Sequence, residues 1–320
     1  MPVDFVLINL VDGLVTGLLL FMLSAGLTLI FSMLGVLNFA HASFYMLGAY
    51  FGYQISGALG FWAGMIIAPL VVGALGALIE RHGLRRVHQF GHIPELIFTF
   101  GLALLIEELV QFVWGRAHVP YEAPAFLSGP AVMVAGNAVE GYKLFMIALA
   151  LVIFAGLLWL VTRTQTGLII QAALHKPQMV QSLGHDVPRI FMLVFGAGTA
   201  LAAVAGVIAG PVLGTFPGMG VVLGSIVFVT IVIGGLGSIW GALIAALALG
   251  WLTTFAKASN LSGADLLATF GLEDVATRAT GTLADLVTVT MPQIAGVLPY
   301  LVMVPVLVLR PSGLMGQRET

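Results

Sequence analysis

An all-α, polytopic transmembrane bundle of about eight to nine membrane segments, some of them short or discontinuous, is the fold class this sequence predicts. Three observations predict it. The 320 residues are 60% hydrophobic and only 8% charged, with a mean hydropathy of +1.09, whereas a soluble domain carries about 25% charged residues. Apolar stretches of about 20 residues, enough to cross about 30 Å of hydrocarbon, recur from end to end. Finally, there are 40 glycines. Each would weaken a soluble helix by about 1 kcal/mol, but small residues let helices in lipid approach closely.

In chain order the apolar segments fall at 6–33, 35–56, 58–79, 94–114, 142–162, 189–213, 222–236, 239–256 and 287–309. Met1 to Asn9 holds Asp4 and no Lys or Arg, so the basic front of a cleaved leader is missing and the first segment reads as a retained helix. Segments 222–236 and 239–256 are short for full spans and fit a tight hairpin or broken helices, which a bilayer tolerates only where protein or a cavity surrounds the break. No polar tract is long enough to bury a core of its own, so 1–320 reads as one transmembrane domain. Gly198, Ala202, Gly206 and Gly210 form one stripe of small residues, and Gly234, Ser238, Ala242, Ala246 and Gly250 another. Both are expected to pack against neighbouring helices.

Basic residues set the orientation. Arg81, Arg85 and Arg86 share one break, Arg163, Lys176 and Arg189 flank another, and Arg310 and Arg318 mark the tail. The positive-inside rule puts all three on the cytoplasmic side. The breaks at 116–141 and 257–285, rich in Glu122, Glu140, Asp265, Glu273 and Asp274, then lie outside. A net charge of −2 argues against nucleic-acid binding. The absence of Cys removes disulfides, thiolate metal sites and thiol nucleophiles.

Polar groups at hydrocarbon depth are costly, so each is a functional candidate. Asn38, His41 and Tyr45 are spaced to share one helix face, where they either line a polar translocation path or hydrogen-bond neighbouring helices. Glu107, Glu108 and Gln111 form a second patch, roughly 10 Å from the outer end of segment 94–114. Adjacent carboxylates point about 100° apart on a helix. A catalytic pair is therefore not expected; a contact to another subunit, an outer gate or simple interfacial exposure is.

Between Arg163 and Arg189, Pro177 is placed to open a short helix and Gly184 to end it. Met179, Val180 and Leu183 fall on one side of that helix. Three apolar side chains at the cytoplasmic face need cover. A lipid surface would recruit more Lys and Arg than occur here, so docking into a partner's groove is expected. There is no G-x-x-x-x-G-K-[ST] loop, no H-E-x-x-H and no G-x-S-x-G. The chain is expected to be a non-enzymatic subunit without its own ATP site, metal or cofactor. Ser43 and His41 diverge by about 200° on a helix and cannot form a hydrolase pair.

Five motifs then carry a resemblance. They are Gly26-Leu-Thr-Leu-Ile-Phe31 with Val36-Leu-Asn-Phe-Ala-His41 and Phe44-Tyr-Met-Leu-Gly-Ala-Tyr50; Phe98-Thr-Phe-Gly-Leu-Ala-Leu104 with Trp114-Gly115; Arg163-Thr-x-x-Gly167 with Gln171-Ala172 and Leu183-Gly184; Val232-Ile-Gly-Gly-Leu-Gly-Ser238 with Gly241; and Leu309-Arg-Pro-x-Gly-Leu314. In this order they resemble the branched-chain amino-acid ABC permeases over nearly the whole chain, and in particular the first of that system's two permeases. The resemblance implies a multi-pass bacterial inner-membrane importer built from two homologous permeases, two cytoplasmic ATP-binding subunits and a periplasmic solute-binding protein. It also implies that 163–189 is the coupling loop seated in the ATPase. Three departures accompany it. Ala42-Ser43 stands where the family commonly has Gly-Glu, Lys176-Pro177 stands where an Asp is common, and 257–285 is a longer periplasmic insertion. The missing carboxylate at 43 leaves branched-chain amino acids open against aromatic or other organic carboxylates, urea or amides. A standalone ion-coupled transporter using Glu107, Glu108 and His41 is the alternative of a different class.

Overall fold

The computed structural model describes residues 3–35, 37–134, 136–175, 177–259, 261–269 and 287–316. Helix α1 (Val3–Leu34) is the innermost element, with the greater part of its apolar length buried. It packs along α8 (Val187–Leu213) and α10 (Ile239–Ala258). The contact with α10 depends on glycine, since a Cβ on Gly17 would lie 2.8 Å from the Leu247 Cα. Helices α2 (His41–Leu59) and α3 (Phe61–Ile79) form a hairpin against α8. There the first small-residue stripe does what its spacing predicts: Gly198 lies against α1, and Gly206 against the backbone of Tyr45 and Ala49. Helices α4 (His92–Trp114) and α5 (Gly141–Arg163) sit at the periphery with most of their surface outward.

Among the described residues six helices are long and apolar enough to cross a membrane. Around them stand α2 and two shorter apolar helices, α9 (Met219–Gly234) and α13 (Leu298–Leu309). Of the two segments expected to be short, 222–236 is so, as α9, whereas 239–256 belongs to the 20-residue α10, which is long enough to cross, and the breaks fall where the hydropathy pattern does not put them. Segment 35–56 does not begin as a helix. Gly35, with φ +65°, ends α1, and the chain turns through 37–40 before α2 opens at His41. The His41 Nε2 lies 3.0 Å from the Leu23 carbonyl oxygen, about 16 Å along α1 from the end of that helix. Residues 37–40 thus already lie at membrane depth before α2 starts. Helix α9 starts in the same layer, for a Cβ on Gly220 would lie 2.8 Å from the Ala42 carbonyl oxygen. Both helices start on buried residues, Ala40 to Ala42 and Met219 to Gly220, and a break covered by protein is the arrangement lipid permits.

The last segment also differs from a single span over 287–309. It divides into α12 (Met291–Ile294) and α13, whose twelve residues reach only about 18 Å. Beyond it the tail turns back to cap α9: Leu314 N–H donates to the Ile233 carbonyl at 2.8 Å and Met315 N–H to that of Gly234 at 3.0 Å, satisfying carbonyls a helix end leaves open. The stretch after α4 holds an antiparallel hairpin, β1 (Pro130–Val134) and β2 (Asn137–Glu140), which no periodicity announced. A bridge between Val119 and Thr215 ties this stretch to the α8–α9 break. Tyr121 is wedged beneath it, 3.4 Å from the Ser56 hydroxyl, and burial pushes its phenol up from the ordinary value. Of the insertion at 257–285, Glu273, Asp274 and Arg278 lie outside the described residues. Its base holds α11 (Gly263–Thr269) and a bridge from Ser262 to Thr290.

Candidate translocation path and coupling surface

The three residues expected on one helix face divide. Asn38 precedes α2, and its Oδ1 accepts from the Ala40 N–H at 3.0 Å, so it orders the turn into the helix instead of extending the face. His41 and Tyr45 are on α2, one turn apart, and fully buried. His41 turns toward Leu23 and Gly26 of α1. Asn38 Nδ2, His41 Nδ1 and the Tyr45 hydroxyl have no hydrogen-bond partner among the described residues. They retain capacity for bonds that the isolated chain does not make.

Beside them α4 and α9 pack against α2. Ser43 Oγ lies 3.5 Å from the Ala103 carbonyl oxygen, and the Phe39 N–H donates to Thr99 Oγ1 at 3.3 Å. One turn beyond Ala103, Glu107 reaches the start of α9, where a Cβ on Gly218 would lie 3.4 Å from its Oε1. Gly218 takes φ +88°, a left-handed conformation suited to glycine. Glu107 is half-buried, whereas Glu108 points out of the molecule, the divergence that helical geometry requires. Gln111 does not join them; its Oε1 accepts from Arg116 Nε at 3.0 Å.

In the loop expected at the cytoplasm α5 ends at Arg163, and Thr164 caps α6 (Gln165–His175) through its Oγ1 and the Gly167 N–H at 3.0 Å. Helix α7 (Pro177–Ser182) follows. Its end has the expected geometry: Gly184 adopts φ +89°, and the His185 N–H reaches the Val180 carbonyl at 3.3 Å. The three apolar residues, however, do not share an outward face. Val180 is 4% exposed and packs with Ala173 and Val187, while Met179 is 63% and Leu183 78% exposed. A helix this short lies on the protein through one side. Val180 anchors it, and Met179 and Leu183, four residues apart, form the free apolar edge.

Sequence reasoning missed the brace behind this loop. After α3 the chain makes a π turn, Glu80–Leu84, and then an α turn, Arg85–His88. The wider turn brings Arg85 back on Glu80, with Nη2 at 2.7 Å and Nε at 3.2 Å from the carboxylate. The same Nη2 donates to the Pro188 carbonyl at 2.6 Å, joining the foot of α3 to the first turn of α8. Nearby, buried Glu95 takes a contact from His88 and another from His92 at 3.5 Å. A cavity of about 250 Å³ opens between these elements, lined among others by Glu80, Arg85, His88, Gln181 and Phe191. Among the described residues no group of three or more His, Cys, Asp or Glu side chains is arranged to hold a metal ion.

Comparison with known proteins fits this architecture. A family model described as the permease component of the branched-chain amino acid transport system matches residues 9–307. The high-affinity branched-chain amino acid transport system permease protein LivH of Salmonella typhimurium is 30% identical over 260 residues, 75% of this chain and 82% of that protein. LivH of Escherichia coli K12 gives the same identity and coverage. BraD of Pseudomonas aeruginosa, a permease protein of the same description, is 28% identical over 326 residues, 97% of this chain and 96% of its own. No solved structure matches. The glycine-built bundle and a matching model that runs from α1 into α13 lead to one conclusion: the chain is a multi-pass membrane protein and belongs to the branched-chain amino-acid ABC permease family.

Proposed function

We propose that this chain is one of two homologous permease subunits in an ATP-driven importer of the bacterial inner membrane, with a second permease, two cytoplasmic ATP-binding subunits and a periplasmic solute-binding protein as partners. It performs no chemistry itself. Closure of the ATPases pushes α7, and α8 carries the displacement to the path beside α2, α4 and α9, which exchanges its open side. The observation that carries this is the free edge of α7. Met179 and Leu183 expose apolar side chains on a helix that Val180 anchors against Ala173 and Val187. An apolar edge on a fixed support suits insertion into a partner's groove.

The cargo we infer is a branched-chain amino acid or a related small amphipathic solute. Ser43 supplies no carboxylate for a substrate amine, but Glu107, one turn beyond the Ala103 that Ser43 faces, places one on the same face of α4. Aromatic or other organic carboxylates, urea and amides are the competing cargoes, and a thermal-shift screen of solutes against the associated binding protein separates them. The mechanism is tested by reconstituting the importer with Met179→Asp or Leu183→Asp. ATP hydrolysis should persist without solute-coupled uptake; wild-type coupling in both variants refutes the role given to α7. Gradient-driven uptake by the purified single chain without ATP would establish the ion-coupled alternative.

A further inference from the structure

We propose that the cavity between the Glu80–Arg85 turn and α7 binds a small zwitterion with an apolar side chain, an aliphatic amino acid, and that its occupant clamps α7. The cavity has a volume of about 250 Å³, smaller than pockets that enclose drug-sized ligands and suited to a molecule of amino-acid size. An ion pair lines it. The Glu80 side chain is 3% exposed, and its two oxygens accept from Arg85 Nε at 3.2 Å and Nη2 at 2.7 Å. Nη2 also donates to the Pro188 carbonyl. A carboxylate accepts at more positions, and a guanidinium donates at more, than these three bonds occupy. Glu80 therefore keeps capacity for a ligand ammonium, and Arg85 Nη1 for a ligand carboxylate. Leu84, Val187 and Phe191 add an apolar wall, and Gln181 brings a neutral amide from α7. His88 lines the cavity too but is engaged with Glu95.

These charges select the ligand. A plain anion would meet Glu80 and a plain cation Arg85, each at a repulsive cost. A molecule that carries both signs meets each with its opposite, and the apolar wall takes its side chain. Polyanions such as nucleotides are excluded by Glu80 and by the volume. A docked subunit is not the occupant either. Gln181 stands two residues from Met179 and from Leu183, about 200° around the helix, so a partner seated on that free apolar edge leaves the cavity open on the other flank of α7. The walls come from three pieces of chain: the turns at the foot of α3, α7 itself, and the first turns of α8. A ligand bonded to both Arg85 and Gln181 ties α7 to the foot of α3 and opposes the displacement that coupling requires. Solute that accumulates on the ATPase side thus slows its own import. This inference rests on the importer reading above, but the site is separate from His41, Tyr45 and Glu107, none of which lines it.

The probe is radiolabelled L-leucine, applied to the membrane complex in nanodiscs without the solute-binding protein. Gln181→Trp fills the cavity from an exposed position. It should weaken leucine binding at least about tenfold at an unchanged melting temperature, whereas Glu107→Gln should leave this binding in place. 4-Methylpentanoate lacks the ammonium and leucine methyl ester the carboxylate, so each loses a charge-assisted bond and should bind at least about tenfold more weakly than leucine. In proteoliposomes loaded with L-leucine on the ATPase side, the initial rate of ATP-driven uptake should fall about fivefold or more, and Gln181→Trp should abolish that fall. Absence of binding, binding lost in Glu107→Gln but kept in Gln181→Trp, or equal affinity for the two analogues overturns the site. Gln181-dependent binding that leaves uptake unslowed overturns the clamp. Normal uptake with no Gln181-dependent binding removes this site and leaves the importer standing. Such binding in particles that carry no ATPase upholds the site and removes the importer mechanism, so the two failures are distinguishable.

Discussion

Truncating Leu183 to Ala should weaken ATPase binding while leaving the fold of the chain untouched. Leu183 is 78% exposed, and its side chain therefore contributes little to the isolated chain. If the ATPase groove covers it, Leu183→Ala removes roughly three newly buried carbons at about 0.8 kcal/mol each, or about 2 kcal/mol after scaling for the part already covered. That corresponds to roughly thirty-fold in Kd. Val180, at 4% exposed, behaves oppositely: Val180→Ala should lower the melting temperature of the permease and alter ATPase affinity only indirectly. Interferometry of the ATPase on immobilised permease in nanodiscs, with thermal unfolding of the same samples, reads both quantities. A Leu183→Ala variant with wild-type Kd, beside a Val180→Ala variant that loses binding at unchanged stability, would reverse the roles assigned to the two faces of α7.

Other outcomes follow from the same geometry. Arg85→Gln leaves the Glu80 carboxylate, 3% exposed, without its cation, which should cost about 3 kcal/mol; Glu80→Gln in the same chain should restore part of the lost thermal stability, and additive losses would disprove the pairing. Gly206→Leu drives a side chain into the backbone of Tyr45 and Ala49 and should destabilise by about 1–3 kcal/mol or more. Gly57→Ala, with open space at that position, should be neutral or gain up to about 1 kcal/mol, and equal melting shifts for the two would contradict the packing. Glu107→Gln should raise the KM for amino-acid uptake by roughly tenfold or more through loss of a charge-assisted bond, with assembly retained; an unaltered KM assigns Glu107 to packing. Asn38→Leu and His41→Leu should each lower uptake in complexes that still assemble, and unchanged kinetics in both would leave those residues structural.

The breaks around α2 and α9 separate what was legible along the chain from what was not. Hydropathy marks both apolar stretches because desolvating a backbone as helix is a property of one segment and its length. It does not mark the depth at which each begins. That depth is decided by Gly35 turning the chain back toward Leu23 and by Gly220 resting on Ala42, contacts between residues far apart in sequence. Glu80 and Arg85 stand five residues apart, a spacing that does not pair on an α-helix. The π turn brings them together, and the carbonyl of Pro188 on another helix accepts from the same guanidinium.

By itself, the sequence determined that this protein lives in lipid, how many apolar helices it offers, where α7 starts and stops at Pro177 and Gly184, and that Gly198 and Gly206 build helix contacts. Each of these is local, set by composition, period or a single backbone conformation. Tertiary structure alone decided that Val180 turns inward while Leu183 stays free, that Asn38 orders the turn before α2 while His41 and Tyr45 lie on the helix, and that Glu107 reaches Gly218 while Glu108 looks outward. The physical reason is that facing has no meaning for a helix until a second element defines its buried side.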